Sequence, residues 1–120
     1  MLNPAYKVPS ASTVQKYVSL EYENTKTRVI GNLKDQTVSL TTDLWTSAAN
    51  HGYITLTSHY INKNWELKNH VLVTRELNDK HTGVNIANCR AQLKEEFELS
   101  DITCIVTDNA SALSETMPAI

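Results

Sequence analysis

Residues 37–43 have the sequence Thr-Val-Ser-Leu-Thr-Thr-Asp, and residues 102–108 have the sequence Ile-Thr-Cys-Ile-Val-Thr-Asp. The first stretch alternates apolar and polar side chains, which predicts a β-strand. The second is almost wholly apolar or β-branched, which is typical of a central strand that is covered on both faces. Each stretch finishes with a threonine and an aspartate, so the sequence predicts two strands that each end at a carboxylate.

Two more strands are predicted between these stretches. Residues 53–61 are rich in β-branched and aromatic side chains, and residues 65–74 follow a short polar turn at 62–64. Two such strands joined by a short turn form an antiparallel hairpin. In the second of them, one parity is apolar and is expected to face the core: Leu67, Val71 and Val73.

Two helices complete the predicted order. Residues 1–11 form an irregular lead. Ser10 and Ser12 are possible helix caps, and Ser12 with Gln15 matches the capping-box pattern that begins a helix of roughly twenty residues. Its apolar face carries Val14, Val18, Tyr22, Val29 and Leu33. A second helix is predicted to begin at His81 or Thr82. Its inner stripe carries Ile86, Arg90, Leu93 and Phe97.

The resulting order is α, β, β, β, α, β, which predicts an α/β fold with a mixed sheet. The first three strands form an antiparallel meander because short links join them. A helix separates the third and fourth strands, so the fourth strand is expected to return parallel to the first. Residues 1–35 are predicted to form the lead and the N-terminal helix, and residues 36–120 the sheet region.

Composition limits the class of protein. The chain has 120 residues, 41% of them hydrophobic and 20% charged, with a net charge of −2, so its total charge lacks the basic excess typical of nucleic-acid binding. It contains no apolar run of about 18 residues for a membrane span. Its first residues lack the basic and apolar regions of a secretory signal. Cys89 and Cys104 are expected to be buried free thiols.

The two carboxylates suggest a metal site. If the first and fourth strands are parallel neighbours, Asp43 and Asp108 lie roughly 5 Å apart. Like charges in one small volume are unfavourable unless a cation or a proton joins them, and Mg²⁺ binds one or two carboxylates together with water and phosphates. The alternative is structural, because aspartate at a strand end is commonly a turn or helix-cap residue.

Three motifs resemble one known family. Residues 40–47, Leu-Thr-Thr-Asp-Leu-Trp-Thr-Ser, are similar to the first acidic motif of hAT-superfamily transposases, which include the domesticated zinc finger BED domain-containing proteins. Residues 81–87, His-Thr-Gly-Val-Asn-Ile-Ala, resemble the family's helix-opening segment. Residues 106–111, Val-Thr-Asp-Asn-Ala-Ser, resemble its second acidic motif. The resemblance runs from about Pro9 to Ser111.

This resemblance implies the N-terminal part of an RNase H-like catalytic domain, in which the first and fourth strands are parallel. Asp43 would be the first catalytic acid and Asp108 the second, and both would be ligands of Mg²⁺ or Mn²⁺. The implied partner is the DNA of transposon ends, the implied reaction is strand cleavage and transfer, and the implied location is the nucleus.

The chain also departs from the family. The third acid of the family is a glutamate on a helix far downstream, and Glu115 is too close to Asp108 to replace it. After Ser111, Ala112-Leu113 replaces the usual Asn-Met. A BED zinc finger and its Cys-x-x-Cys are lacking, so no zinc site is expected, and the family's homodimer would form through a region outside these residues. We therefore expect no catalysis from this chain alone. The alternative function is that of a domesticated, non-catalytic nuclear protein that binds DNA or regulatory proteins.

Other side chains have less specific interpretations. Trp45 could stack on a base, but an aromatic residue in the core or at the sheet rim is favoured. Trp65 is expected to pack at the mouth of the hairpin. His51 and His59 lie too far apart along the chain to form a ligand pair. Three basic residues could contact phosphate, but ordinary solvated positions explain them as well: Lys63, Lys68 and Arg75.

Overall fold

The computed structural model describes residues 3–77 and 83–108. Within these residues the element order is the predicted one. No helix in the described part of the chain is both long and apolar enough to cross a bilayer. The elements are α1 (Ala11–Leu33), β1 (Thr37–Thr46), β2 (Gly52–Ile61), β3 (Leu67–Leu77), α2 (Gly83–Glu96) and β4 (Asp101–Thr107).

The chain divides into two compact units, Met1–Gly31 and Asn32–Ile120. The first contains most of α1, whose N-cap is Ser10. The Ser10 hydroxyl oxygen accepts a hydrogen bond from the backbone N–H of Thr13 at 3.2 Å. Of the two possible caps in the sequence, the helix therefore uses Ser10 and not Ser12 of the capping-box pattern. Residues 3–31 contain no second helix or strand, so the predicted apolar face at Val14 and Val18 stays exposed within this unit.

The second unit is built on a four-stranded mixed sheet of order β3-β2-β1-β4. β1 is antiparallel to β2 and parallel to β4, and β2 is antiparallel to β3. The predicted meander and the predicted parallel return of the last strand are confirmed. The parallel pair needs a long connection, and α2 lies within it.

One face of this sheet forms the core. On β1 and β2 the buried side chains occupy alternate positions, because successive side chains of a strand point to opposite faces. Helix α2 lies over this face, where its residues Ala91 and Lys94 line a cavity of about 260 Å³ together with Leu40 and Leu56. We call this the covered face and the opposite one the open face. The core between the covered face and α2 contains four large apolar side chains that are almost completely buried: Val38, Ile54, Leu56 and Leu93. Full burial of each contributes roughly 1.5–3 kcal/mol.

The predicted parity of β3 holds at Val73, which is half-buried opposite Leu56, but is wrong at Leu67 and Val71. Leu67 and Val71 are 68% and 65% exposed, whereas Leu72, between the predicted inward positions, is buried. The register between β2 and β3 shifts at Leu56/Thr57, which inserts one extra residue into β3. Such a bulge reverses the faces of the residues beyond it, and alternation read from the sequence cannot locate it.

The expectation that the last strand is central is also wrong for the described residues. β4 lies at the edge of the sheet, beside β1, and Val106 is 57% exposed. Apolar side chains on both faces indicate that a strand has little polar surface. They do not determine its place in the strand order.

Candidate metal site at the ends of two parallel strands

Asp43 lies within β1 and not at its end. The predicted strand stops at residue 43, but β1 continues to Thr46 because residues 44–46 still pair with β2, with Leu44 opposite Ile54 and Trp45 opposite Tyr53. Asp108 is the first residue after β4, as predicted. Both acids therefore lie toward the C-terminal ends of the two parallel strands.

The register brings the two acids together. Thr42 of β1 pairs with Thr107, the last residue of β4, so the next step along both strands leads to Asp43 and Asp108. Neighbouring strands are roughly 5 Å apart, which is the expected separation of the two backbones here. Two positions 65 residues apart in the sequence thus become neighbours at the end of the sheet where β1 and β4 have their C-termini; below, this end is the edge that carries the acids.

Exposure and charge at this edge suit a hydrated cation. Asp43 and Asp108 are both exposed, and alternation on β1 places Asp43 on the open face. Within residues 3–77 and 83–108, neither carboxylate is paired with a cationic side chain. The described residues also contain no group of three or more His, Cys, Asp or Glu side chains that would hold a metal ion. Two carboxylates open to water fit Mg²⁺, which retains water ligands and binds one or two carboxylates.

Comparison with known proteins assigns the chain to a family. The family model of the ZBED1 RNase-like domain matches residues 41–120, a range that contains both acids. The chain belongs to this family. Its RNase-like fold agrees with the mixed sheet and its parallel β1–β4 pair.

The chain also resembles three curated proteins. It is 29% identical over 114 residues to a putative AC transposase of Zea mays, a match covering 92% of the chain and 14% of that protein. It is 26% identical over 125 residues to the zinc finger BED domain-containing protein DAYSLEEPER of Arabidopsis thaliana, covering 99% of the chain and 18% of that protein. A putative transcriptional regulator, tpeD of Talaromyces stipitatus, is 24% identical over 115 residues, covering 94% and 14%. The chain thus spans less than a fifth of each relative and is that of a hAT-type, transposase-derived protein.

An aromatic pair lies beside the two acids. Trp45 stacks on Tyr53, with ring centroids 5.6 Å apart and planes inclined by 17°. Trp45 lies at the rim of the sheet, as the favoured interpretation holds, but it remains 39% exposed. Tyr53 is not distinguished by any local sequence pattern. Its role depends on the register between β1 and β2, which the local sequence pattern does not contain.

The two histidines have separate partners. His51, in the loop before β2, forms an ion pair with Glu76 of β3 when it is protonated. His59 of β2 shares a hydrogen bond of 3.0 Å with the Thr41 hydroxyl. The expectation that His51 and His59 do not form a ligand pair agrees with these contacts.

Other predicted positions are structural or solvated. Trp65 is 88% exposed in a turn with a φ of 62°, so its predicted packing at the hairpin mouth is wrong. Arg75 pairs with Glu96 of α2 at 3.1 Å. Cys89 and Cys104 are both free thiols, Cys89 buried and Cys104 half-buried. Several positions of the family motifs and of their departures lie outside the described residues: His81, Thr82, Asn109, Ser111, Ala112, Leu113 and Glu115.

Arg90 and Cys89 show the effect of burial on α2. Burial lowers the pKa of the Arg90 guanidinium, and its Nε and Nη2 atoms have no hydrogen-bond partner among residues 3–77 and 83–108. Burial also raises the pKa of the Cys89 thiol, because a thiolate would lose its hydration there. The predicted inner stripe of this helix is confirmed at Leu93 and Phe97, which are 0% and 3% exposed.

Proposed function

We propose that Asp43 and Asp108 together bind one divalent cation, Mg²⁺ or Mn²⁺, and form two of the acidic ligands of a DNA transposase centre. The observation that carries this proposal is the β1–β4 register, which brings both carboxylates to adjacent positions. Two neighbouring carboxylates supply the oxygen ligands that a hard divalent cation binds together with water. The likeness to a protein named as a transposase supports the reaction class.

The proposed chemistry is phosphodiester cleavage and strand transfer on DNA. A bound divalent cation would stabilise the charge that develops on the phosphate oxygens during the displacement. Asp43 and Asp108 would hold it through carboxylate oxygens, and their exposure leaves room for water and for a DNA phosphate. Two carboxylates position a metal incompletely, so we propose that this chain alone does not cleave DNA. A longer polypeptide would have to supply a third acid and a homodimer contact.

Cation binding by the 120-residue chain is the direct test. Titration with Mn²⁺, followed by the loss of its free-ion electron paramagnetic resonance signal, should show one weak site that Mg²⁺ competes for. Asp43→Asn and Asp108→Asn should each weaken Mn²⁺ binding at least tenfold. Asp101→Asn is the matched control, since Asp101 is an exposed acid at the opposite end of β4. Equal Mn²⁺ affinity in all four proteins would refute the assignment.

A second candidate function is non-catalytic. The relative named as a putative transcriptional regulator favours it, because the chain is similar in sequence to part of a protein with that name and a fold does not carry its function automatically. In this case the chain would act in the nucleus as a scaffold that binds DNA or regulatory proteins. A longer polypeptide with an acid triad should then show no cleavage of DNA with Mg²⁺ or Mn²⁺, while nuclear binding partners would be recovered with it.

A further inference from the structure

Strand β1 extends beyond β4 at the edge that carries the acids. Thr42 is opposite the last residue of β4, whereas β1 continues to Thr46. Over these final residues β1 pairs with β2, and Trp45 is opposite Tyr53. In the described part of the chain, therefore, no strand flanks Trp45 on the side toward Asp108.

On the side toward β2, the ring of Trp45 packs against Tyr53, which restricts its orientation. Its ring is nearly parallel to that of Tyr53, an arrangement that aromatic pairs prefer when they are offset. Tyr53 is in turn opposite Glu76 of β3, and the ion pair of Glu76 with His51 closes this end of the sheet. Both rings stand on paired strands, so little conformational freedom remains to be lost when a third planar group joins them.

The position of Trp45 makes its exposed ring surface available to a nucleotide near the two acids. Trp45 is two residues beyond Asp43 on the same strand and the same face, a distance of roughly 7 Å along β1. A base stacked on Trp45 would have its phosphates within one nucleotide of Asp43 and Asp108. Stacking of a base on an aromatic side chain contributes about 1–3 kcal/mol and tolerates any base.

We propose that Trp45 is a positioning residue that stacks an unpaired nucleobase of the DNA and extends the Tyr53–Trp45 pair to three rings. The placement of the phosphate at the acids rests on the proposed function, whereas the stacking requires no metal. A base within a duplex is already stacked on both sides, so the site selects single-stranded or unstacked DNA. With a net charge of −2, the chain adds little attraction for phosphate, which makes stacking the main contribution to affinity.

The test measures DNA binding in EDTA at low ionic strength. A short single strand with one 2-aminopurine is titrated with the 120-residue chain, and a duplex of the same sequence is titrated in parallel. The parent chain should quench the 2-aminopurine in the single strand. Trp45→Ala should lower single-strand affinity roughly 5- to 150-fold and abolish the quenching, while duplex affinity should stay unchanged.

Three matched variants complete the test. Trp45→Leu keeps apolar bulk at the sheet rim without a stacking ring, so it should bind the single strand as weakly as Trp45→Ala. Trp45→Phe should retain part of the affinity. Trp65→Ala removes the other tryptophan, which is 88% exposed in a distant turn, and should bind as the parent does.

Two results would overturn the inference. One is unchanged single-strand affinity in Trp45→Leu, and the other is an equal loss for single strand and duplex, which indicates a general structural effect. The metal assignment is judged separately, since Asp43→Asn should bind the single strand in EDTA no more weakly than the parent. Mn²⁺ binding that is insensitive to Asp43→Asn therefore refutes the metal site alone, and single-strand binding that is insensitive to Trp45→Leu refutes the stacking alone.

Discussion

The two faces of the sheet use the same strands for opposite purposes. On the covered face Leu40 and Leu56 are 3% and 1% exposed, whereas on the open face Val71 and Val106 are 65% and 57% exposed. Since alternate residues of a strand point to opposite faces, adjacent residues can differ completely in environment. Thr42, buried, and Asp43, exposed, are the sharpest case. Stability should therefore depend on one parity and the proposed chemistry on the other.

The largest effect is expected where α2 meets the covered face. Leu93 is 0% exposed, so Leu93→Ala removes buried apolar atoms and leaves a cavity, which should lower the free energy of unfolding by about 2–5 kcal/mol. The matched control, Val106→Ala, truncates an exposed residue and should stay within about 0.5 kcal/mol. Urea unfolding followed by circular dichroism measures both. Similar costs for the two variants would contradict the distinction between the faces.

The β3 bulge sharpens the comparison at two adjacent residues. Leu72→Ala should lower the free energy of unfolding by about 2 kcal/mol or more, because Leu72 is only 7% exposed. Val71→Ala should cost no more than about 0.5 kcal/mol on the open face. Simple alternation from the sequence predicts the opposite ranking. The same urea titrations decide between the two registers.

How much of this could be predicted depends on where the information lies. Alternation in residues 37–43 and the helix before β4 were sufficient for the element order and for the parallel return that makes Asp43 and Asp108 neighbours. These are consequences of local pattern and of connection length. The predicted end of β1 was three residues too early, and the sequence could not distinguish Ser10 from Ser12 as the helix cap, since neighbouring residues offer similar local chemistry.

The remaining errors concern relations between strands. The bulge in β3, the edge position of β4 and the Trp45–Tyr53 stack all depend on which residues pair across the sheet. No local stretch carries that register. The proposed metal site could be located from the sequence because each of its two acids directly follows a threonine of a predicted strand, whereas the position of Tyr53 becomes informative only through its partner on β1.

A smaller effect of opposite sign is expected at Thr42. Its side chain is 4% exposed, and in the described part of the chain its hydroxyl oxygen has no hydrogen-bond partner. A buried polar group without a partner is destabilising, so Thr42→Val, which keeps the shape, should raise the free energy of unfolding by about 1 kcal/mol. Thr41→Val is the control on the open face, where it removes the hydrogen bond with His59 and should give no gain. A destabilised Thr42→Val would indicate that the hydroxyl is satisfied in solution.

The smallest effect is a pH dependence that belongs to the covered side. Burial raises the pKa of Cys89, so the folded chain keeps the thiol proton to a higher pH than the unfolded chain does. The contribution to stability is fully present below the ordinary cysteine pKa of about 8.5. Above it, the unfolded state releases the proton first, and the free energy of unfolding falls by at most about 1.4 kcal/mol per pH unit.

Cys89→Ala should remove this fall, whereas Cys104→Ala should retain it. The comparison uses the slopes of stability against pH between about 8 and 10, because truncation at Cys89 also leaves a small cavity that lowers stability equally at every pH. Tyrosine ionisation acts on both variants alike and cancels in the difference between their slopes. Equal slopes in the two variants would mean that the Cys89 thiol is hydrated in the folded state, and hence that α2 does not close over the covered face at this position.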